Sequence, residues 1–299
     1  MTGFFNDNLP VFAVAQMNSQ DSIAQNMATA THLMQQAVAQ QACLLVLPEN
    51  FACFAAGQQA RTAERFDDLQ QQLQQLAAQH GLWLLAGSIP CPYRPNGQPV
   101  PDQRVRSSSL LISPEGTTAA RYDKIHLFDV QVGDTTGSYQ ESATFEPGDE
   151  IVVANTPFGR LGMMICYDLR FPELALALRQ QGADVLTAPS AFTEMTGRLH
   201  WQLLLRARAM DTQCYMLGAG QQGTHGSRQP LRQTWGHSAI SNAAGEILAE
   251  RNQAGAGIIT AAFDITAVQQ RRASMPLMQH RRLGLLKDFQ YCYEVLDKP

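Results

Sequence analysis

No stretch of this 299-residue sequence stays apolar for the roughly 20 residues that a membrane-spanning helix needs. The N-terminus also lacks the basic segment and the long apolar segment that together mark a secretory signal. Both absences argue against a membrane-bound or secreted protein. The sequence therefore predicts a cytoplasmic protein with no membrane partner.

The sequence also has no large excess of charge of either sign. The 22 lysines and arginines nearly balance the 26 aspartates and glutamates, which leaves a net charge of −4. A surface that binds nucleic acid needs a broad excess of positive charge, so we expect no nucleic-acid partner. The basic cluster Arg271, Arg272, Arg281 and Arg282 is interpreted as a solvated or subunit-contact surface.

Patterns for metal binding and disulfide bonding are missing as well. The six cysteines are scattered and form no C-x-x-C pair, and the seven histidines form no H-E-x-x-H motif. There is no P-loop, and nucleotide binding is not expected. We therefore expect no metal and no cofactor, and we expect most cysteines to be small buried hydrophobic residues.

The sequence does contain an alternation of buried strands and amphipathic helices. The run from Val11 to Gln16 predicts a strand, and apolar residues recur every three or four positions from Ser22 to Gln40, which predicts a helix. Hairpin patterns add antiparallel strands. This order is typical of the α/β class, and its recurrence in both halves suggests two packed sheets with helices outside. No linker interrupts it, so we predict one domain over residues 10–285 and a C-terminal tail at residues 286–299.

Cys166 stands at the end of an apolar strand and shortly before a helix that begins near Pro172. Open α/β sheets place functional sites at such strand ends. A helix N-terminus has a positive potential that lowers the pKa of a nearby thiol, so we expect a reactive thiolate here. The alternative is an inert buried cysteine that only ends the strand.

Two further ionisable residues end strands in the same way. Glu49 follows the apolar run that contains Leu47, and Lys124 ends the strand before the segment IHLFD. Taken singly, Glu49 could be a loop residue and Lys124 an exposed surface lysine. Together with Cys166 they supply a base, a cation and a nucleophile, which are the groups that acyl transfer requires.

The segments around these three residues resemble blocks of the nitrilase, or carbon–nitrogen hydrolase, superfamily. They are LLVLPENF, RYDKIHLFD and GMMICYDLRFPE, and the resemblance extends from about Val11 to Arg282. It implies a four-layer αββα sandwich with a catalytic triad of Glu49, Lys124 and Cys166. It also implies a homodimer or a higher homo-oligomer, because members of the superfamily usually associate.

A second glutamate recurs in the superfamily shortly after the lysine block. The matching residue here is Glu141, in the segment SYQES, although it could also be an ordinary exposed loop charge. Glu146 is the other candidate, but the Pro-Gly pair that follows it indicates a turn.

The resemblance also implies a role for each residue. Glu49 takes the proton of the thiol as the sulfur of Cys166 attacks a carbonyl carbon. Lys124 and the backbone N–H of Tyr167 stabilise the oxyanion that forms. Water, activated by Glu49 and oriented by Glu141, then hydrolyses the thioester intermediate.

Arg170, four residues beyond the cysteine, is placed to hold a substrate carboxylate through two parallel hydrogen bonds. A structural salt bridge to Asp168 or Glu173 is the alternative. In the Nit branch of the superfamily, whose amidases act on amides of α-keto acids, this arginine and a later loop contact the substrate. The matching loop positions are Phe192 and Thr196, which could instead be a core residue and the cap of a helix that begins near residue 197.

Further segments, including LHWQLLLRARAM, TWGHS and MPLMQHRR, resemble the members of that branch that hydrolyse deaminated glutathione. The resemblance implies a small amide substrate that yields 2-oxoglutarate and cysteinylglycine. The alternatives are ω-amidase action on 2-oxoglutaramate, true nitrilase activity and a non-catalytic member that binds a metabolite or partner. A protease-like pairing of the cysteine with His126, His200 or His237 is also open, and the loop at residues 221–234 has no assigned role.

Overall fold

The computed structural model describes residues 9–133, 137–226 and 231–283. The predicted tail at residues 286–299, with Cys292, lies outside the described residues. Within those ranges the chain forms seven α-helices: α1 Ile23–Ala39, α2 Gln59–Ala63, α3 Phe66–His80, α4 Pro172–Gln180, α5 Glu194–Thr212, α6 Ile265–Ser274 and α7 Leu277–His280. The same ranges hold seventeen strands: β1 Val11–Gln16, β2 Ala42–Val46, β3 Trp83–Leu85, β4 Ile89–Cys91, β5 Arg106–Ile112, β6 Thr118–Asp123, β7 Asp129–Gln131, β8 Ser138–Gln140, β9 Val153–Thr156, β10 Gly159–Met163, β11 Val185–Thr187, β12 Tyr215–Gly218, β13 Gln222–His225, β14 Arg232–Trp235, β15 Ala239–Ser241, β16 Ile247–Glu250 and β17 Gly257–Ala262.

Most of the strands belong to two mixed sheets. The first sheet has the order β17-β1-β2-β3-β5-β4, with β6 paired to β5, and the second has the order β16-β15-β12-β11-β10-β9. Strands β1, β2 and β3 run parallel in the first sheet, and β10, β11 and β12 run parallel in the second. The short hairpins β7–β8 and β13–β14 lie outside both sheets.

Strand β1 shows how the layers are stacked. Its alternate side chains point to opposite faces of the sheet. Phe12 and Val14 belong to the same buried cluster as Met163 of the second sheet, so this face packs against the other sheet. Ala13 belongs to a different cluster, which contains Leu33 of α1. Helices therefore cover the outer faces, and the protein has the predicted αββα sandwich.

The helices of the first half follow the sequence pattern closely. Helix α1 is capped by Ser22, whose side chain accepts a hydrogen bond from the backbone N–H of Gln25. Helix α3 buries Leu69 and Leu73, and it ends at Gly81, whose φ of +61° is the left-handed conformation that glycine adopts easily. No helix among the described residues has the length and apolar character to cross a membrane.

Helix α5 begins earlier than predicted. Its N-cap is Thr193, whose side chain accepts a hydrogen bond from the backbone N–H of Thr196, so the alternative in which Thr196 caps the helix is wrong. The loop at residues 221–234 was expected to be irregular. Its described residues instead form most of the hairpin β13–β14. The sequence did not predict this hairpin, because its polar residues show no apolar alternation.

One glycine pattern in the sequence, taken alone, would indicate a nucleotide-binding site. Gly218, Gly220 and Gly223 match the spacing G-x-G-x-x-G, which begins at the last residue of β12. In nucleotide-binding folds this turn leads into a helix whose N-terminus holds the phosphates. Here β13 follows instead, so the helix that would bind a phosphate is not present after this turn.

The contact between the two sheets generates a stability prediction. Phe12 is fully buried, and its ring centroid lies 4.9 Å from those of Phe158 and Phe263. Replacing it in the variant Phe12→Ala leaves a cavity between the sheets, so the free energy of unfolding should fall by about 3–5 kcal/mol. Chemical denaturation of the purified proteins measures this change.

The matched control is Leu248→Ala, because Leu248 is 44% exposed. Its free energy of unfolding should change by no more than about 0.5 kcal/mol. A loss below about 1 kcal/mol for Phe12→Ala would contradict the packing described for the core.

Candidate active site

The site is built from strand ends of both sheets. Glu49 lies just beyond β2 and Lys124 just beyond β6, so both come from the first sheet. Cys166 lies just beyond β10 of the second sheet. Because the sheets pack face to face, residues that are far apart in the sequence reach one cavity of about 330 Å³.

The backbone around Glu49 is held from several sides. Its carbonyl accepts a hydrogen bond of 3.0 Å from the side chain of Gln221, and the next backbone N–H donates to Ser88. A Cβ atom at Gly87 would lie only 1.9 Å from the carbonyl oxygen of Pro48. Glycine is therefore required at position 87, because any side chain there would collide with the backbone just before Glu49.

Lys124 is the electrostatic centre of the site. Its Nζ lies 2.9 Å from Oε1 of Glu49, and 2.8 Å and 2.9 Å from the two carboxylate oxygens of Glu141. Burial alone would lower the pKa of the ammonium group, but the two carboxylates outweigh it and hold the pKa well above its usual range. Lys124 is therefore a fixed cation.

Glu141 occupies the cavity, and Glu146 does not. One oxygen of Glu141 also accepts a hydrogen bond of 2.6 Å from the backbone N–H of Phe128. Burial raises the pKa of Glu141, and the ammonium of Lys124 opposes that rise. Glu146 instead binds Arg94 and Arg106 outside the cavity.

The conformation at Cys166 is unusual for a residue with a side chain. Its φ is +48°, and it begins a 3₁₀ turn, Cys166–Arg170, while its backbone N–H donates to the carbonyl of Pro189. Its side chain lines the cavity beside Glu49 and Ala191. A non-glycine residue held in this region is strained, and such strain is often found at functional sites.

The surroundings of Cys166 do not favour the expected thiolate. Burial raises the pKa of the thiol well above its usual range, the carboxylate of Glu49 raises it further, and Lys124 only partly opposes this. Helix α4, which was expected to favour the anion, begins only at Pro172, after the 3₁₀ turn. The surroundings of the sulfur therefore favour the thiol over the thiolate.

Asp168 connects the two halves of the site, a role that the sequence did not suggest. It is fully buried, and it accepts hydrogen bonds from Tyr122, from the backbone N–H of His126 and from the backbone N–H of Ile165. These bonds join the segment around Lys124 to the turn that carries the cysteine. The one sign of this role in the sequence was the position of the carboxylate, two residues after the candidate nucleophile.

The histidines proposed as partners of the cysteine lie elsewhere. His126 contacts Asp168, His200 contacts Arg170, and His237 contacts Glu250. None of the three lines the cavity. The protease-like alternative is therefore wrong.

A family model described as carbon-nitrogen hydrolase matches residues 12–273. The chain belongs to the carbon–nitrogen hydrolase family. The deaminated glutathione amidase of Yersinia enterocolitica is 44% identical over 242 residues, which cover 80% of this chain and 82% of that protein. The mouse protein of the same name is 39% identical over 283 residues, which cover 93% of this chain and 84% of the relative.

Solved structures agree with this assignment. The NitFhit protein of C. elegans superposes with a TM-score of 0.82 at 33% identity, covering 92% of this chain and 66% of that one. Nit3 of Saccharomyces cerevisiae, described as a member of branch 10 of the nitrilase superfamily, gives 0.78 at 29% identity, covering 92% and 97%. The chain therefore has the nitrilase-like fold as well as the family sequence.

The cavity of this carbon–nitrogen hydrolase also contains the residues expected to bind the substrate: Tyr167, Arg170, Phe192 and Thr196. Arg170 forms no ion pair with Asp168, Glu173 or any other described carboxylate, so the alternative of a structural salt bridge is wrong. Its guanidinium carbon lies 5.1 Å from the ring centroid of Phe192. Phe192 also contacts Trp201, so it belongs to both the core and the cavity wall.

The wall residues of this carbon–nitrogen hydrolase that were not anticipated from the sequence include Phe54, His225 and Arg232. They lie outside the three blocks that drew attention to the site. Within residues 9–133, 137–226 and 231–283, no group of three or more histidine, cysteine or acidic side chains is arranged to hold a metal ion.

The position of Glu49 generates a prediction about the thiol. In the variant Glu49→Gln a carboxylate that raises the pKa of Cys166 is lost, while the cation of Lys124 remains. The pKa of the thiol should therefore fall below that of the wild-type protein. The rate of alkylation of Cys166 by iodoacetamide, followed across pH by peptide mass spectrometry, measures this shift.

The control is Glu150→Gln, because Glu150 is an exposed carboxylate outside the cavity. Its pH profile of alkylation should match that of the wild type. An unchanged or higher thiol pKa in Glu49→Gln would mean that the carboxylate does not act on the sulfur.

Proposed function

We propose that this carbon–nitrogen hydrolase is an amidase that cleaves deaminated glutathione into 2-oxoglutarate and cysteinylglycine. The observation that carries the proposal is the meeting of Cys166, Glu49 and Lys124 in a cavity that also holds the guanidinium of Arg170. The names of the relatives from Yersinia enterocolitica and mouse support this choice of amide.

The first half of the reaction transfers the acyl group to the enzyme. Glu49 takes the proton from the thiol as the sulfur of Cys166 attacks the amide carbon, and the C=O electrons move onto the oxygen. When the oxyanion collapses, the C–N bond breaks and Glu49 returns the proton to the departing nitrogen. The products of this half are a thioester and the free amine of cysteinylglycine.

Two groups are assigned to stabilise the oxyanion. They are the ammonium of Lys124, which is a fixed cation, and the backbone N–H of Tyr167, which follows the cysteine in the 3₁₀ turn. Loss of one such donor typically lowers the rate about 10²–10³-fold. The site thus contains charge stabilisation without a metal ligand set.

The second half of the reaction releases the acid. Glu49 takes a proton from water while the hydroxide oxygen attacks the thioester carbon, and the C–S bond then breaks. The proton returns to the sulfur, so one water is consumed and the enzyme is regenerated. Glu141 orients the water in this proposal, because its carboxylate lines the cavity and is held there by Lys124 and by the backbone N–H of Phe128.

The keto-acid end of the substrate is assigned to Arg170. Its guanidinium has no carboxylate partner among the described residues and can form two parallel bonds with a substrate carboxylate. Phe192, Tyr167 and Thr196 complete the surface around the acyl chain.

The setting of the enzyme is part of the same proposal. Five cysteines in the described ranges are free thiols, which fits the reducing cytoplasm. Helix α5 exposes Leu199 and Leu203, at 63% and 67%, and these side chains suit a homodimer or a higher homo-oligomer.

An assay with purified protein tests the proposal. The kcat/KM for deaminated glutathione should exceed that for 2-oxoglutaramate by about 10-fold or more, and the variant Cys166→Ala should have no measurable turnover. Intact-protein mass spectrometry of the wild type during turnover should detect a 2-oxoglutaryl adduct on Cys166. These measurements separate a hydrolase from a binding protein with the same fold.

A strong preference for 2-oxoglutaramate would instead assign the protein as an ω-amidase. Equal turnover by wild type and Cys166→Ala, with no adduct, would overturn the enzymatic mechanism. A thermal melt of Cys166→Ala that matches the wild type controls for loss of folding.

A further inference from the structure

Arg232 is a cation in the cavity that neither the catalytic cluster nor the keto-acid contact uses. It is the first residue of β14, and it lies opposite His225 in the register of the hairpin β13–β14. Side chains at directly opposed positions of an antiparallel pair share one face, and both residues line the cavity. The hairpin therefore presents Arg232 to the substrate.

The guanidinium of Arg232 is held by aromatic rings. Its central carbon lies 4.7 Å from the ring centroid of Phe54 and 5.0 Å from that of Tyr139. Its Nε is buried without a hydrogen-bond partner, and no carboxylate of the described residues pairs with it. A buried donor without a partner is costly, whereas aromatic contacts orient an arginine and leave its N–H groups for a ligand.

The charge balance of the cavity points in the same direction. Among the described residues that line it, three cations face two carboxylates. Lys124 contacts both carboxylates, those of Glu49 and Glu141. Arg170 and Arg232 are therefore left to balance charges that a ligand brings.

His225 does not add a competing charge beside Arg232. Burial, together with the nearby guanidinium of Arg232, lowers the pKa of His225 to about 4. Its Nδ1 lies 2.8 Å from the carbonyl of Ser19, and its Nε2 lies 2.6 Å from the hydroxyl of Thr234. Because a carbonyl can only accept, Nδ1 carries the proton and the imidazole is neutral.

We propose that Arg232 forms a second carboxylate subsite, which binds the glycine carboxylate on the leaving-group side of deaminated glutathione. The proposal rests on the proposed function. The substrate carries one carboxylate at each end, with the scissile amide between them. Arg170 lies on the same turn as the reacting sulfur, and Arg232 comes from a separate hairpin, so the two guanidinium groups suit the two ends of one extended ligand.

This assignment gives a physical basis for substrate choice. 2-Oxoglutaramate has the keto-acid carboxylate but no carboxylate on its leaving group, which is ammonia. It can use Arg170 and gains nothing from Arg232. The subsite therefore favours deaminated glutathione over 2-oxoglutaramate by the free energy of one charge-assisted hydrogen-bonded pair between Arg232 and a carboxylate.

The test combines a change in the enzyme with the matching change in the substrate. Wild type, Arg232→Gln and Arg232→Lys are assayed with deaminated glutathione and with its analogue in which the glycine carboxylate is a neutral carboxamide. The wild-type kcat/KM should fall about 10- to 100-fold on going to the carboxamide. Arg232→Gln should lose a similar factor on deaminated glutathione and should then barely distinguish the two substrates, whereas Arg232→Lys should retain part of the preference.

A second measurement does not depend on turnover of the variants. Cysteinylglycine should inhibit the wild type competitively when 2-oxoglutaramate is the substrate, and this inhibition should weaken in Arg232→Gln. Arg65→Gln is the matched control, because Arg65 is a half-exposed surface arginine outside the cavity. Its preference and its inhibition should equal those of the wild type.

Three results would overturn the subsite. They are equal use of both substrates by the wild type, an undiminished preference in a folded Arg232→Gln, and a loss in that variant that is as large for 2-oxoglutaramate as for deaminated glutathione. The last result would place Arg232 at the keto-acid end. Absence of wild-type turnover of deaminated glutathione is a different failure, because it overturns the proposed function and the subsite with it.

Discussion

The ammonium group of Lys124 is the point on which the rest of the site depends. It lies within 2.9 Å of the carboxylates of Glu49 and Glu141, and all three side chains are largely removed from water. Burying any one of these charges alone would cost several kcal/mol. The three are therefore stable only together, and removal of the cation would leave two carboxylates that repel each other.

Glu49 and Lys124 follow strands of the first sheet and Glu141 follows the hairpin β7–β8, whereas the sulfur that they must reach follows a strand of the second sheet. The buried carboxylate of Asp168 bonds to segments on both sides, so the distance between the cluster and the thiol is set by the packed core rather than by a loop. The same packing raises the pKa of the Cys166 thiol, because it buries the sulfur beside the carboxylate of Glu49. A buried thiol with a raised pKa reacts slowly with oxidants and stray electrophiles, which is why the proposed mechanism needs Glu49 to take its proton.

The layered fold could be predicted because burial imposes a regular period on long strands and helices, and the ends of those strands indicated where Glu49, Lys124 and Cys166 should stand. The thiol pKa could not be predicted, since it depends on which groups from distant segments surround the sulfur. The hairpins β7–β8 and β13–β14 were missed because their strands are short and polar and have no apolar alternation. Asp168 could be seen in the sequence, but two of its donors, Tyr122 and the backbone N–H of His126, lie more than 40 residues away along the chain.

Substrate choice and catalysis are carried by different kinds of structure in this enzyme. The reacting groups follow strands of the core, whereas Arg232 stands on a hairpin outside both sheets. That hairpin is nevertheless held in place by backbone hydrogen bonds. The N–H of Trp235 donates to the carbonyl of Phe192, and the N–H of Gln222 donates to the carbonyl of Met17. A subsite needs such support, since a binding group that moves by even 1 Å loses much of its effect. Changes in the hairpin can therefore alter which amide is bound while the charged cluster beneath it stays the same, which is how one fold serves several substrates.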